Sequence, residues 1–251
     1  MMHRFMQATM EILDRQEYVS WRLPKNWHVI LTTNPDNGDY NVTSLDVAQK
    51  TRFISVELKY EVNVWAKWAE NMGIDGRCIN FMLMHPEVVT QRVNPRSITT
   101  FFNSISSIKE FNSQLPLIQN IAEGSVGEEF GMMFTMFINN KLDKIITPEE
   151  ILTKPEKEVF DNLFSTIGKD DTYRADIASV ISTRLVNHSL VYASKNPVSD
   201  AMIDRLSKLI TECSSFTDDL RYLMLKDLLN QNKVKFSKLM LNTKVMTMAT
   251  K

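Results

Sequence analysis

The chain has 251 residues, 43% hydrophobic and 24% charged, with a net charge of −1. That length can bury a real core in one large domain or two smaller ones, and the near-neutral balance points neither to a basic nucleic-acid surface nor to an acidic disordered tail. Two cysteines, Cys78 and Cys213, make no disulfide framework and fit a reducing cytoplasm, and no apolar run approaches the roughly 20 residues of a membrane span.

The opening "MMHRFMQATMEIL" alternates polar and apolar residues, so it does not read as a signal peptide. It predicts a helix over Arg4–Gln16 with Met6, Met10 and Leu13 on one face. "LPKNW" turns the chain. "HVILTT" (28–33) then reads as a strand apolar on both sides, as in a covered parallel sheet, and "FISVEL" (53–58) as a second short strand.

Everything after that reads as helix. Trp65, Trp68, Ala69 and Met72 form a stripe that "MGIDG" ends. Ile79, Met82 and Leu83 begin a helix that stops at His85-Pro86. Asn94-Pro95 is an N-cap followed by proline at the first helical position, with Ile98, Phe101, Phe102, Ile105 and Ile108 behind it. Val126, Phe130, Met133, Phe134 and Phe137 make another stripe. "TPEE" (147–150) reads as a capping box. Further helices fit Tyr173–Ala193, Asp200–Cys213 and Thr217–Leu229. No solenoid period is visible.

Three signals in order carry a family resemblance: "TTNP" then "YNV"; "LDVAQKTRF"; and "HPE" leading to "NPRSITTFF". Together they resemble the second half of an AAA+ ATPase core of the MoxR-like kind, nearest to those carried by large phages, over about residues 1–110. The resemblance implies a mainly α chain with a small α/β part. Residues 1–57 would be the C-terminal part of the AAA+ α/β core, 58–111 the helical lid, and 112–251 a helical C-terminal extension. It implies that Asn34 is sensor 1, orienting the attacking water. Arg52 matches the arginine finger offered to a neighbouring subunit, and Arg96 matches sensor 2, touching the γ-phosphate. The chemistry suits these types. Phosphoryl transfer needs a placed water and fixed positive charge, and a guanidinium binds phosphate bidentately without losing its charge. Each residue also has a plain structural reading. Asn before Pro is a turn residue, Arg before Phe at a strand start is a solvated group, and a nearby carboxylate would satisfy Arg96 as well as phosphate.

The sequence has no Gly-x-x-x-x-Gly-Lys-(Ser/Thr) run. Its Gly168-Lys169 lacks the earlier glycine, "GSVGEEFG" lacks a lysine and suits a helix cap, and no apolar strand ends in Asp-Glu. On the family pattern the sequence starts just after that acidic strand. The complete protein would use ATP and Mg, and this chain alone is expected to bind neither. Its expected partners are a P-loop half or neighbouring AAA+ subunits in a ring, and a protein client. A cytoplasmic location is expected, with no membrane or nucleic acid. The competing reading is a non-enzymatic helical interaction subunit with a vestigial AAA+ surface.

Other constellations are weak. Cys78 and His85 could share a helix face, but two ligands do not make a zinc site. His188-Ser189 sits mid-helix with no Asp in sequence reach. Asp218-Asp219 is ordinary capping. The 15 methionines suit a helical core or an adaptable groove, and Lys233, Lys235 and Lys238 form a short basic stretch.

Overall fold

In the computed structural model, which describes residues 2–34, 47–90 and 93–249, the chain falls into two units, Met1–Lys59 and Tyr60–Lys251. The first unit opens with α1 (Met2–Arg15), where the periodicity predicts a helix, and Met10 and Leu13 are half-buried on it. Gln16, left-handed at φ 57, ends the helix. A small antiparallel hairpin that the sequence does not announce follows, β1 (Glu17–Tyr18) against β2 (Trp21–Arg22). A single turn, α2 (Val47–Lys50), comes later.

The strands expected at 28–33 and 53–58 do not form. Residues 27–34 and 54–61 are neither helix nor strand. Most of their apolar side chains face solvent, Ile30 being 84% exposed and Ile54 95%, while Val29 and Tyr60 are half-buried. The reason is physical. An apolar run becomes a strand only when a neighbour completes its ladder and its faces are covered. Among the described residues the hairpin is the whole of the sheet. Of the expected fold class, the mainly α statement holds, and no α/β part is formed among the described residues. Pro35, Tyr40, Leu45 and Asp46 of the family pattern, and the side chain of Met6, lie outside the described residues.

The second unit is helical, and its caps are written in the sequence. Helix α3 (Val62–Met72) ends at Gly73, whose φ of 73 is left-handed. That lets the amides of Gly73 and Ile74 reach back to the carbonyls of Glu70 and Ala69, a backbone path that glycine alone takes without strain. Asp75 N-caps α4 (Gly76–Met84), which stops before Pro86. Asn94 caps α5 (Pro95–Ile105), accepting from the amides of Arg96 and Ser97 at 3.0 Å. Next come α6 (Leu115–Ser125) and α7 (Glu128–Asn139), the latter entered through Gly127 at φ 99. Thr147 and Glu150 form the capping box of α8 (Pro148–Thr153) in both directions. The chain continues through α9 (Glu156–Ile167), α10 (Ala175–Lys195), α11 (Asp200–Glu212), α12 (Asp218–Phe236) and α13 (Thr243–Ala249).

Two cores lie inside this unit. One is aromatic and joins α3–α5 to α6 and α7, with Phe81, Phe101, Phe102, Phe130, Phe134 and Phe137 buried together. Phe81 meets Phe130, Phe134 and Phe137 edge-on at 5.1, 4.9 and 5.5 Å, the arrangement ring quadrupoles favour. The other is aliphatic and runs from Ile145 to Val245, across α8–α13. Met84 and Leu142 pack against both. The boundary placed at 111/112 from sequence falls within the aromatic core, since Phe111 and Ile118 are both buried in it.

Candidate functional site

The cap described above fixes the backbone around Arg96. Asn94 and Pro95 set the first turn of α5, and Ile98, Phe101, Phe102 and Ile105 anchor its other face in the aromatic core. The Arg96 side chain is left exposed, and its guanidinium has no hydrogen-bond or ion-pair partner among the described residues. A cation in the first turn opposes the helix dipole. Among the described residues nothing offsets its charge, and the fork is free to bind an anion.

The two other site residues lie in the first unit. Asn34 is exposed at the end of an extended stretch, where its backbone carbonyl accepts from the Thr33 hydroxyl at 3.1 Å. Arg52 is also exposed, and its Nε donates to Asp14 on α1 at 2.7 Å. That hydrogen bond leads the contributions that hold the Asp14 carboxyl below its ordinary value. An exposed ion pair of this kind is weak.

A buried polar cluster, not singled out from sequence, joins α3, α4 and α10. The Arg184 guanidinium, 6% exposed, donates to Asn80 Oδ1 at 3.1 Å and to Glu70 Oε2 at 3.2 Å. His188 Nδ1 lies 3.2 Å from Glu70 Oε1. Burial pushes the Glu70 carboxyl up, but the His188 hydrogen bond and the Arg184 charge outweigh it, and the net shift is downward. Gly76 makes room for this guanidinium: a Cβ there would meet the Arg184 terminal nitrogens at 2.5 and 2.7 Å. The sequence signal was present but thin. Arg184 and His188 stand one turn apart in a helix whose neighbours Leu185, Val186 and Leu190 are all core residues, and the partner carboxylate lies 114 positions upstream of Arg184.

A second polar anchor ties the start of α4 to the segment that follows α5. Arg77 pairs with Asp75 at 2.6 Å, donates to the carbonyls of Ile108 and Lys109, and lies 3.5 Å above the Phe111 ring.

Beside α3 runs a cleft of about 450 Å³, lined among others by Val64 and Trp68 of α3, Leu190 and Val191 of α10, and Gln231 and Asn232 of α12. No carboxylate lines it. Asn232, at φ −153 and ψ 68, breaks α12 at this place, and its side chain caps the restarted turn by accepting from the Lys235 amide at 3.3 Å.

The remaining candidates resolve as packing. Cys78 is fully buried, His85 ends α4 with its ring 5.1 Å from Phe81, and no cluster of His, Cys, Asp or Glu suited to a metal occurs among the described residues. No helix among them is long and apolar enough to cross a membrane. In comparisons with family models, curated proteins and solved structures, nothing matches this chain.

Proposed function

We propose that the chain is the sensor-and-lid portion of a MoxR-like AAA+ ATPase that couples ATP hydrolysis to remodelling of a protein client. The observation that carries the reading is the exposed pair of apolar runs, 28–33 and 53–58. Both are rich in β-branched residues, and both lack a ladder partner among the described residues. A sheet contributed by a P-loop portion would complete both. The unpartnered Arg96 adds to this, because a cation in an N-terminal turn is best explained by an anionic ligand.

On this reading the nucleotide is held elsewhere. The sequence has no P-loop. What the chain would supply is orientation and charge: the Asn34 amide for the attacking water, the Arg52 guanidinium for a neighbouring subunit's site, and Arg96 for nucleotide sensing. Nucleotide and metal would be held by the P-loop portion, in cis or in a neighbouring ring subunit.

The test begins with the DNA immediately upstream of this reading frame, where a Gly-x-x-x-x-Gly-Lys-(Ser/Thr) run and an apolar strand ending in Asp-Glu are expected. Phosphate release by this chain alone should equal background. With the P-loop portion joined it should rise, and Arg52→Ala should then cut turnover by about 10³ while sparing ATP binding. Unchanged turnover in that variant would make Arg52 a surface residue. A silent joined protein would favour the second reading, a non-enzymatic helical interaction subunit, which the cleft between α3, α10 and α12 also suits.

A further inference from the structure

We infer that the cleft between α3, α10 and α12 is a docking groove for an acidic amphipathic helix of a partner protein. The inference stands whether or not the chain belongs to an ATPase.

The first support is uncompensated charge. Several lysines elsewhere in this unit meet carboxylates, among them Lys144 with Glu110, Lys208 with Glu156, Lys238 with Asp200 and Lys244 with Glu212. Around the cleft they do not. Lys67 donates to the Gln231 side-chain carbonyl, Lys195 to the Asn71 backbone carbonyl at 3.4 Å, and Lys235 to the Asn196 carbonyl at 3.3 Å. A neutral acceptor solvates an ammonium but leaves its charge in place. Of these three cations with neutral partners, Lys67 lines the cleft, Lys195 bonds to the lining residue Asn71, and Lys235 stands three residues beyond the lining Asn232, while no carboxylate is among the lining residues. The break at Asn232 bears on this too, because Lys233 and Lys235 stand in the turn that restarts after it.

The second support is the exposed apolar face of α3, of which Val64 and Trp68 line the cleft. Val64, Trp68 and Met72 recur every four residues on α3 and are 66%, 44% and 60% exposed. The opposite face of α3 buries Trp65, Ala66 and Ala69, so these three are not spare core residues. Eight residues of helix span about 12 Å, or two turns, which is the reach over which a partner helix sets anchors at i, i+4 and i+7. A nucleic-acid strand would call for successive aromatic platforms, and Trp68 is the aromatic ring among the lining residues. An apolar stripe flanked by cations is complementary to a helix with one apolar face and glutamates on both sides of it.

The test uses the full chain and three fluorescein-labelled synthetic peptides of equal length, read by anisotropy. One has leucines at i, i+3, i+4 and i+7 with glutamates elsewhere. The second keeps the leucines and carries lysines. The third keeps the glutamates and replaces leucine with glutamine. The first should bind at least ten-fold more tightly than either control, and its affinity should fall at least ten-fold between 50 and 500 mM salt. Trp68→Ala should weaken it ten-fold through the apolar stripe. The double variant Lys67→Glu/Lys195→Glu should do so through charge and should invert the preference toward the lysine peptide. Circular dichroism on each variant checks that the helices persist, and the inverted preference is a gain that unfolding cannot mimic. Equal binding of all three peptides, or no binding of the first at 100 µM, overturns the inference. Tighter binding of an oligo-dT strand with the same dependence on Trp68 also overturns it and assigns the groove to nucleic acid.

Discussion

The two units of this protein use apolar residues in opposite ways. Among the side chains described in the first unit no apolar one is buried, and Trp27, Ile30, Ile54 and Leu58 are 64%, 84%, 95% and 92% exposed. The second unit buries aromatic and aliphatic side chains in two continuous cores. The runs themselves are no less apolar in the first unit. What differs is the element each pattern needs. A helix bonds its own backbone, so an amphipathic stripe only has to find another stripe. A strand leaves its N–H and C=O groups to a neighbour, and a run apolar on both faces also needs cover on both. Helical sequences can complete themselves within 190 residues or so, whereas two strands without a third element cannot.

Amide exchange gives the widest separation. Residues 28–34 and 54–61 should exchange within seconds, while the buried faces of α4, α7 and α10 should be protected by about 10³ or more. Hydrogen-exchange mass spectrometry reads this directly. Equal protection in both regions would break the comparison and assign the first unit a self-sufficient fold. Joining the P-loop portion should sharpen it, by protecting residues 28–34 and 54–61 alone.

Paired truncations come next. Phe134 is fully buried and meets Phe81 at 4.9 Å and Phe101 at 5.4 Å, so Phe134→Ala should cost about 3–5 kcal/mol in urea unfolding. Ile54→Ala, at a position 95% exposed, should stay within about 0.5 kcal/mol. Similar costs at both positions would mean that the first unit has a core after all.

The buried cluster sharpens the comparison by pH. The Glu70 carboxyl titrates below its ordinary value of 4.5. Its contribution to stability is therefore complete above about pH 5 and is lost as pH falls through the lowered folded value. Glu70→Gln removes that acid loss and leaves Arg184 buried without its anion, at a cost of roughly 3 kcal/mol near neutrality. Asp143 has the opposite sign. Burial raises its carboxyl, so the folded state binds its proton more readily, and Asp143→Asn should raise stability slightly at neutral pH and leave it unchanged in acid. Thermal melts from pH 3 to 7 separate the two variants. Parallel curves would show that neither carboxyl is coupled to folding.

How much was legible follows from the same physics. Caps are local, and Asn94-Pro95, Thr147–Glu150 and Gly73 all act as their short motifs say. Apolar stripes at helical spacing gave the cores, with Trp68 and Met72 as exceptions that face outward because Trp65, Ala66 and Ala69 already fill the other side of α3. The apolar runs at 28–33 and 53–58 read as strands because propensity is local, while strand formation depends on a neighbour. The Glu70–Arg184–His188 cluster was illegible for the converse reason. Its members are ordinary helix residues until tertiary packing places α10 against α3, and no spacing rule links positions so far apart in sequence. Of the candidate site, the strands expected beside Asn34 and Arg52 do not form, whereas the helical turn that holds Arg96 was readable. The partners were not: Asp14 meets Arg52 from 38 positions away.

The smallest effect discriminates between the two readings of Arg96. Asn94 and Arg96 share one helical turn but have opposite relations to it. Asn94 satisfies two orphan amides, so Asn94→Ala should cost about 1 kcal/mol. Arg96 is exposed and unpartnered among the described residues, and it places positive charge at the positive end of the dipole. Arg96→Ala should therefore leave stability unchanged or raise it by a few tenths of a kcal/mol. A structural arginine does the reverse, because removing it strands a buried carboxylate, as removing Arg184 would strand Glu70. Chemical denaturation of the two variants side by side reads the difference. A loss above about 1 kcal/mol for Arg96→Ala would place it with Arg184 as a residue of the fold. A neutral or stabilising result means that the turn carries a charge the fold does not need, as expected of a residue that acts on an anion from outside the chain.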